Sequence, residues 1–110
     1  MARLYRGVTL EHDVFQAIAD PTRRKLLQLL AHQDMSIAAM KECFPLSRTA
    51  INKHLHVLSE AGLVSSQKVG RETRYTLCLE PLAELQDWLS FFEQYWGKRL
   101  EALKQYVESN

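Results

Sequence analysis

The stretch "LSRTAINKHLHVLSEAGLV", Leu46 to Val64, decides the fold. Ser47 is a candidate N-cap, because its hydroxyl oxygen can accept one of the backbone N–H groups a helix start leaves open. The helix from Arg48 runs to Ala61, and Gly62 then supplies a left-handed C-terminal residue. At about 100° per residue, Ile51, Leu55, Leu58 and Ala61 gather on one side, with Ala50 and Val57 at its edge. Arg48, Thr49, Asn52, Lys53 and His56 gather on the other, with Ser59 and Glu60 farther along. The polar side carries no carboxylate before Glu60. Arginine, threonine, asparagine and lysine pair with base edges or phosphates, and recognition helices offer their N-terminal residues to the bases. A solvated face of any amphipathic helix would share this pattern, so the neighbours must decide.

Two histidines lie in the stretch. His54 projects toward the apolar arc beside Leu55 and Leu58, as a packed or hydrogen-bonded residue, and His56 lies on the polar face as a peripheral DNA contact. Residues i and i+2 point about 200° apart on a helix, so one helix cannot aim both at one metal as i and i+4 would.

On the N-terminal side, Ser36 is a plausible N-cap for a short helix, "IAAMKECF", which Pro45 cannot continue. The connection from Pro45 to Ser47 is that of a helix-turn-helix. On the C-terminal side, "LVSSQKV" and "ETRYTLCL" are short, partly alternating runs separated by Gly70-Arg71, a suitable hairpin loop. With that loop Val64 faces Leu77 and Ser66 faces Tyr75. The hairpin is a wing, with Lys68, Arg71 and Arg74 on it and Arg71 at its tip, where arginine enters a minor groove or pairs with a phosphate.

Farther out, Leu10, Val14, Phe15, Ala17 and Ile18 keep a helical period up to Ala19. Asp20-Pro21 restarts the chain as N-cap and first helical residue. The helix "TRRKLLQLLA" follows, and His32-Gln33-Asp34 reads as a connection. Thr22, Arg23 and Arg24 at that helix start are candidates for a DNA phosphate. Pro81 opens a last helix of about 27 residues by pattern. Its stripe is Leu85, Trp88, Leu89, Phe92, Tyr95, Trp96, Leu100, Leu103, Tyr106 and Val107. Trp88, Phe91, Phe92, Tyr95 and Trp96 offer more aromatic area than a small core can cover, since each such ring buries about 150–250 Å². Pairing two copies about a two-fold axis would hide it. The fold class is therefore mainly α with a small β-hairpin, in the order α-α-α-α-β-β-α, a winged helix-turn-helix in one domain over 1–110. The helix-turn-helix spans 36–61 and the wing 63–79.

Composition agrees. The chain has 110 residues, 46% hydrophobic and 25% charged, room for one modest core. The net charge of +1 divides unevenly: residues 1–79 carry 11 Lys/Arg against 7 Asp/Glu, and residues 80–110 carry 3 against 6. An anionic partner for the body fits this division, as do solvated surfaces of both signs. No apolar run nears the roughly 20 residues of a membrane span, and no signal-peptide core is present, so a cytoplasmic protein without membrane contact is expected. Cys43 and Cys78 form no CxC or CxxC. Neither a thiolate cluster nor a disulfide framework follows. No phosphate-cradling glycine loop, metal-ligand spacing or catalytic triad occurs, which argues against an enzyme and gives no catalytic residue.

At this point "AIADPTRRKLLQLL", "LSRTAINKHLHVLSEAGLV" and "VGRETRYTL", in that order and spacing, resemble the ArsR family of bacterial winged-helix transcriptional regulators, over about Phe15 to Leu79. The resemblance implies a homodimer, usually a repressor, on a palindromic operator, with two recognition helices and two wings. It implies dimerisation through the first and last helices, 9–19 and 81–108 here, so that Val14 joins Leu85, Trp88, Leu89, Phe92, Tyr95 and Trp96 in the interface. The reading helix becomes Ser47–Glu60, with Ser47 near the backbone and Arg48, Thr49, Asn52 and Lys53 as base readers. Metal-sensing members like the family's name-giver carry CxC on the preceding helix, where this chain has Cys43 alone. Another type uses acidic and histidine ligands on the last helix, which here contains no histidine. The chain resembles the metal-independent branch, with no metal ligands and no cofactor. Two alternatives stay open: a thiol- or ligand-gated sensor of the same fold using Cys43 and with it Cys78, and a winged-helix module for protein–protein or RNA contact.

Overall fold

The computed structural model describes residues 13–108. Five helices and three strands follow one another: α1 Val14–Ala17, α2 Pro21–His32, β1 Met35–Ser36, α3 Ile37–Lys41, α4 Arg48–Glu60, β2 Val64–Val69, β3 Glu72–Leu77 and α5 Leu82–Glu108. The winged helix-turn-helix expected from sequence is present, with one strand more than the hairpin.

Helix starts are set by side-chain caps at the expected places. Asp20 accepts the Arg23 N–H at 3.0 Å, Ser36 the Ala39 N–H at 3.2 Å and Ser47 the Ala50 N–H at 3.1 Å. At the end of α4 the Gly62 N–H donates to the Ser59 carbonyl at 3.0 Å and the Leu63 N–H to that of Leu58 at 2.9 Å. This pair of bonds is a Schellman closure. It needs a left-handed residue at Gly62, whose φ is 78°. The closure turns Leu63 back onto Leu58, and both are fully buried. The apolar arc of α4, Ile51, Leu55 and Leu58, completes a core with Leu26, Leu27 and Leu30 of α2, Met40 of α3 and Val14 and Ala17 of α1.

The hairpin register is the one read from sequence, Val64 opposite Leu77 and Ser66 opposite Tyr75, closed by Gly70-Arg71. Gly70 has φ 64° and Arg71 does not have a positive φ, the pattern of a II′ turn. The third strand, β1, lies beside β3, with Met35 opposite Tyr75 and Ser36 opposite Arg74. It follows directly on His32-Gln33-Asp34, which reads in sequence as a connection.

Three boundaries differ from expectation. The helical period from Leu10 to Ala19 is broken at Asp13, whose backbone is extended: its carboxylate accepts the Gln16 N–H at 2.8 Å, and its own N–H donates to the Gln16 side chain at 3.2 Å. That capping box sets the helix start at Val14, and Leu10 lies outside the described residues. The short helix over "IAAMKECF" ends at Lys41 rather than Phe44. The last helix has the expected length but breaks at Gly97, with φ 24° and ψ −127°.

Candidate nucleic-acid interface

Burial of one face of α4 leaves the other in solvent. Arg48, Thr49, Asn52, Lys53 and His56 are all exposed, on the opposite side from Ile51, Leu55 and Leu58. The wing lies against this face and makes two clefts with it. One, of about 340 Å³, is bordered by Arg48 and Asn52 of α4, by Arg71, Glu72, Thr73 and Tyr75 of the wing, and by the start of α3. The other, of about 270 Å³, lies between Asn52, His56 and Ser59 of α4 and Ser66 and Tyr75 of the hairpin. Thr49, Lys53 and Val57 border a shallower depression that Asn52 and His56 also share. Asn52 thus stands at the centre of the exposed face, and Arg48 is brought to one cleft with the wing-tip Arg71.

The chemistry suits a DNA groove edge. Asparagine donates and accepts at once, as adenine's major-groove edge requires, and arginine offers the donor fork that guanine takes. Ser47 uses its hydroxyl oxygen as the α4 cap, which leaves the O–H proton to donate to a phosphate. Lys68, opposite Thr73, and Arg71 at the hairpin tip are exposed cations on the wing. His56 turns along its own helix, with Nε2 3.3 Å from Glu60 Oε2.

The remaining sequence-nominated cations are held by the protein's own backbone. Arg23 donates through Nε to the Ala17 carbonyl at 2.7 Å and through Nη2 to that of Gln16 at 3.1 Å. Arg24 is exposed but gives Nη1 to the Ile18 carbonyl at 2.6 Å. Arg74 bridges the Asp34 carbonyl at 3.1 Å and the Glu72 carboxylate at 3.5 Å, tying the wing to the segment before β1. Thr22 is half-buried beside them. Asp20, capping the same turn of α2, has its carboxyl held below the ordinary aspartate range. The backbone N–H of Arg23 is the main cause; partial burial opposes it, and the Arg23 guanidinium and the Thr22 N–H add to it. His54 is half-buried as expected, its Nδ1 3.4 Å from Arg23 Nη1.

The last helix carries a second surface. Trp88, Leu89, Phe91, Tyr95 and Trp96 are exposed, at 53%, 42%, 58%, 59% and 36%. Phe15 meets Trp88 edge-on at 5.6 Å, Trp88 meets Phe92 at 5.1 Å and Phe91 meets Phe92 at 5.0 Å. Leu85 packs against the core at the helix start and Phe92 is half-buried. Val14 is 2% exposed in the single chain and belongs to the core rather than to this stripe. Cys43 is exposed and Cys78 half-buried. Among the described residues no three His, Cys, Asp or Glu side chains are grouped as for a metal ion, and no helix is long and apolar enough to cross a membrane. Tyr75, Thr73 and Ser66 line the clefts although sequence did not nominate them; the hairpin register was their only signal.

The helix-turn-helix domain model matches residues 18–67. The transcriptional repressor SdpR of Bacillus subtilis is 37% identical over 81 residues, 74% of this chain and 90% of that protein. The HTH-type transcriptional regulator Rv2034 of Mycobacterium tuberculosis is 34% identical over 95 residues, 86% of each chain. Among solved structures, an ArsR-like transcriptional regulator from Rhodococcus superposes with a TM-score of 0.70 at 41% identity, over 88% of this chain and 89% of that one. The chain belongs to the ArsR family of winged helix-turn-helix transcriptional regulators: it is a DNA-binding regulator and not an enzyme.

Proposed function

We propose that this ArsR-family regulator is a cytoplasmic, metal-independent repressor that binds an inverted-repeat operator as a homodimer and blocks a promoter by occupying it. The observation that carries the reading is the exposed face of α4, on which Asn52 is central and Arg48 shares a cleft with Arg71 of the wing. Phosphate contacts from Lys68, Arg71 and their neighbours supply most of the affinity, and Arg48, Thr49, Asn52 and Lys53 the discrimination. The exposed aromatic stripe of α5 supports a two-fold partner, which would set two α4 helices roughly 34 Å apart, one turn of DNA. Independence of metal rests on the sequence: a single cysteine before α4 and no histidine on α5.

The test is a titration of the protein's own upstream DNA and a scrambled duplex across roughly 50 to 200 mM salt, with and without EDTA. The reading expects a steep salt slope, clear preference for the upstream DNA and no effect of EDTA. Equal binding to both duplexes refutes an operator at that promoter, and abolition by EDTA refutes metal independence. One observation favours a second reading, a thiol-gated repressor: Cys43 is exposed just before α4. Peroxide-triggered release that persists in Cys43→Ser would exclude that thiol as the trigger.

A further inference from the structure

Arg23 stands on the first turn of α2, where its charge reads in sequence as a phosphate contact, yet its guanidinium turns inward. Its three nitrogens meet three groups: the Ala17 carbonyl, the Gln16 carbonyl and Nδ1 of His54. A guanidinium has donors only, so in this 3.4 Å contact Nδ1 is the accepting side. Its backbone N–H is held by Asp20 at the start of α2. One side chain therefore joins the last carbonyls of α1, the first turn of α2 and the middle of α4. On α1 the same short helix presents Phe15 to Trp88 of α5. On α4 the tether point, His54, adjoins Lys53 and lies two residues from both Asn52 and His56.

Among the described residues, α4 also packs against α2 and α1 through the apolar side chains Ile51, Leu55 and Leu58. Apolar burial is non-directional and fixes the depth of a helix better than its rotation or slide. A hydrogen bond is directional, and base-edge contacts need donor–acceptor distances within about 2.7–3.2 Å. We infer that Arg23 is a positioning residue for DNA reading: it sets, through His54, the angle at which α4 is presented relative to α1 and α5, and makes no phosphate contact itself. The inference rests on α4 being the reading helix.

The experiment is the operator titration of the full chain across roughly 50 to 200 mM salt, for wild type, Arg23→Met, His54→Leu, His54→Asn and the Arg23→Met/His54→Leu pair. Helical content and sedimentation are measured on each. Arg23→Met and His54→Leu are each expected to weaken operator binding about tenfold, the effect of one directional contact of roughly 1 kcal/mol or slightly more. The salt slope and the affinity for scrambled DNA stay as in wild type. The pair is no weaker than either single variant, and His54→Asn, which keeps an acceptor close to the Nδ1 position, restores operator binding. A salt slope flatter by about 2 in Arg23→Met, as expected if each protomer of a dimer gave up one phosphate, would overturn the inference. Wild-type operator affinity in His54→Leu would do the same. Should Arg23→Met not fold, the two His54 variants decide alone. An Asn52→Ala control separates the two failures, because unchanged operator preference there removes α4 as the reading helix whatever the His54 variants do.

Discussion

Replacing Phe91 by alanine strikes the proposed dimer where its cost can be calculated. Phe91 is 58% exposed in the single chain, so of the roughly 200 Å² that a phenylalanine can bury, on the order of 110 Å² faces solvent. If a partner covers that area, burial at about 25 cal/mol per Å² is worth roughly 3 kcal/mol per protomer and 6 per symmetrical dimer. Alanine retains its β-carbon, and association returns only part of the transfer energy, so about half, roughly 3 kcal/mol, is the expected loss. That is on the order of 100-fold in the dimer dissociation constant. The ring also touches Phe92 at 5.0 Å and Tyr95 at 6.0 Å within its own chain. Those ring pairs contribute about 0.5–1.5 kcal/mol to the helix, and alanine removes them whether or not a dimer forms. Sedimentation equilibrium over a concentration series reads the association constant, and circular dichroism at each concentration reports whether the helix survives. An association constant equal to wild type in a folded Phe91→Ala protein would refute the reasoning, as would a wild type that stays folded and monomeric at micromolar concentration.

On α4, Asn52→Ala should cost about 1–3 kcal/mol at one base position and relax preference there, while Lys68→Ala on the wing should weaken operator and scrambled DNA alike; a panel of single-base operator variants distinguishes the two. At the start of α2, Asp20→Ala should lower stability by about 1 kcal/mol at neutral pH in denaturant unfolding, because the Arg23 N–H loses its cap, and Asp20→Asn should restore most of it. The Asp20 carboxyl is held below its ordinary value in the fold. Its contribution is therefore complete above the ordinary aspartate pKa of about 3.9 and is lost as pH falls through the lower folded value, so Asp20→Asn should flatten the acid limb of stability below about pH 4.

What was legible in the sequence was local. Ser47, the apolar arc of α4 and Gly62 each act within a few residues, and so α4 and its glycine end could be placed without the fold. The hairpin register followed from one glycine with a positive φ at Gly70. Strand β1 left no local pattern: two residues, Met35 and Ser36, borrow their pairing from Tyr75 and Arg74, and Ser36 also caps α3. The helix start at Val14 was hidden because the apolar period runs through Asp13 without interruption; the Asp13-to-Gln16 spacing was the signal that marked it. Gly97 sits inside a continuous apolar stripe, and a glycine there costs a helix only about 1 kcal/mol, too little for pattern alone to end the helix.

The arginines separate for a physical reason that bears on how DNA binding responds to salt. A cation near a helix start suggests a phosphate as long as only the chain's own segment is considered. The ends of α1 and of the segment before β1 bring carbonyls to Arg23 and Arg74 from other parts of the chain, and a carbonyl without a backbone donor takes a guanidinium readily. Among the described residues, Arg48, Lys53, Lys68 and Arg71 give no hydrogen bond to a helix-end carbonyl, and Arg24 keeps an exposed side chain beside its bond to the Ile18 carbonyl. If those five serve phosphates in each protomer of a dimer, ten charges bound the slope of log affinity against log salt at about −9. Adding Arg23 and Arg74 would raise the bound to about −13. A measured slope clearly steeper than about −9 would require cations beyond those five and would return Arg23 and Arg74 to the phosphate contacts.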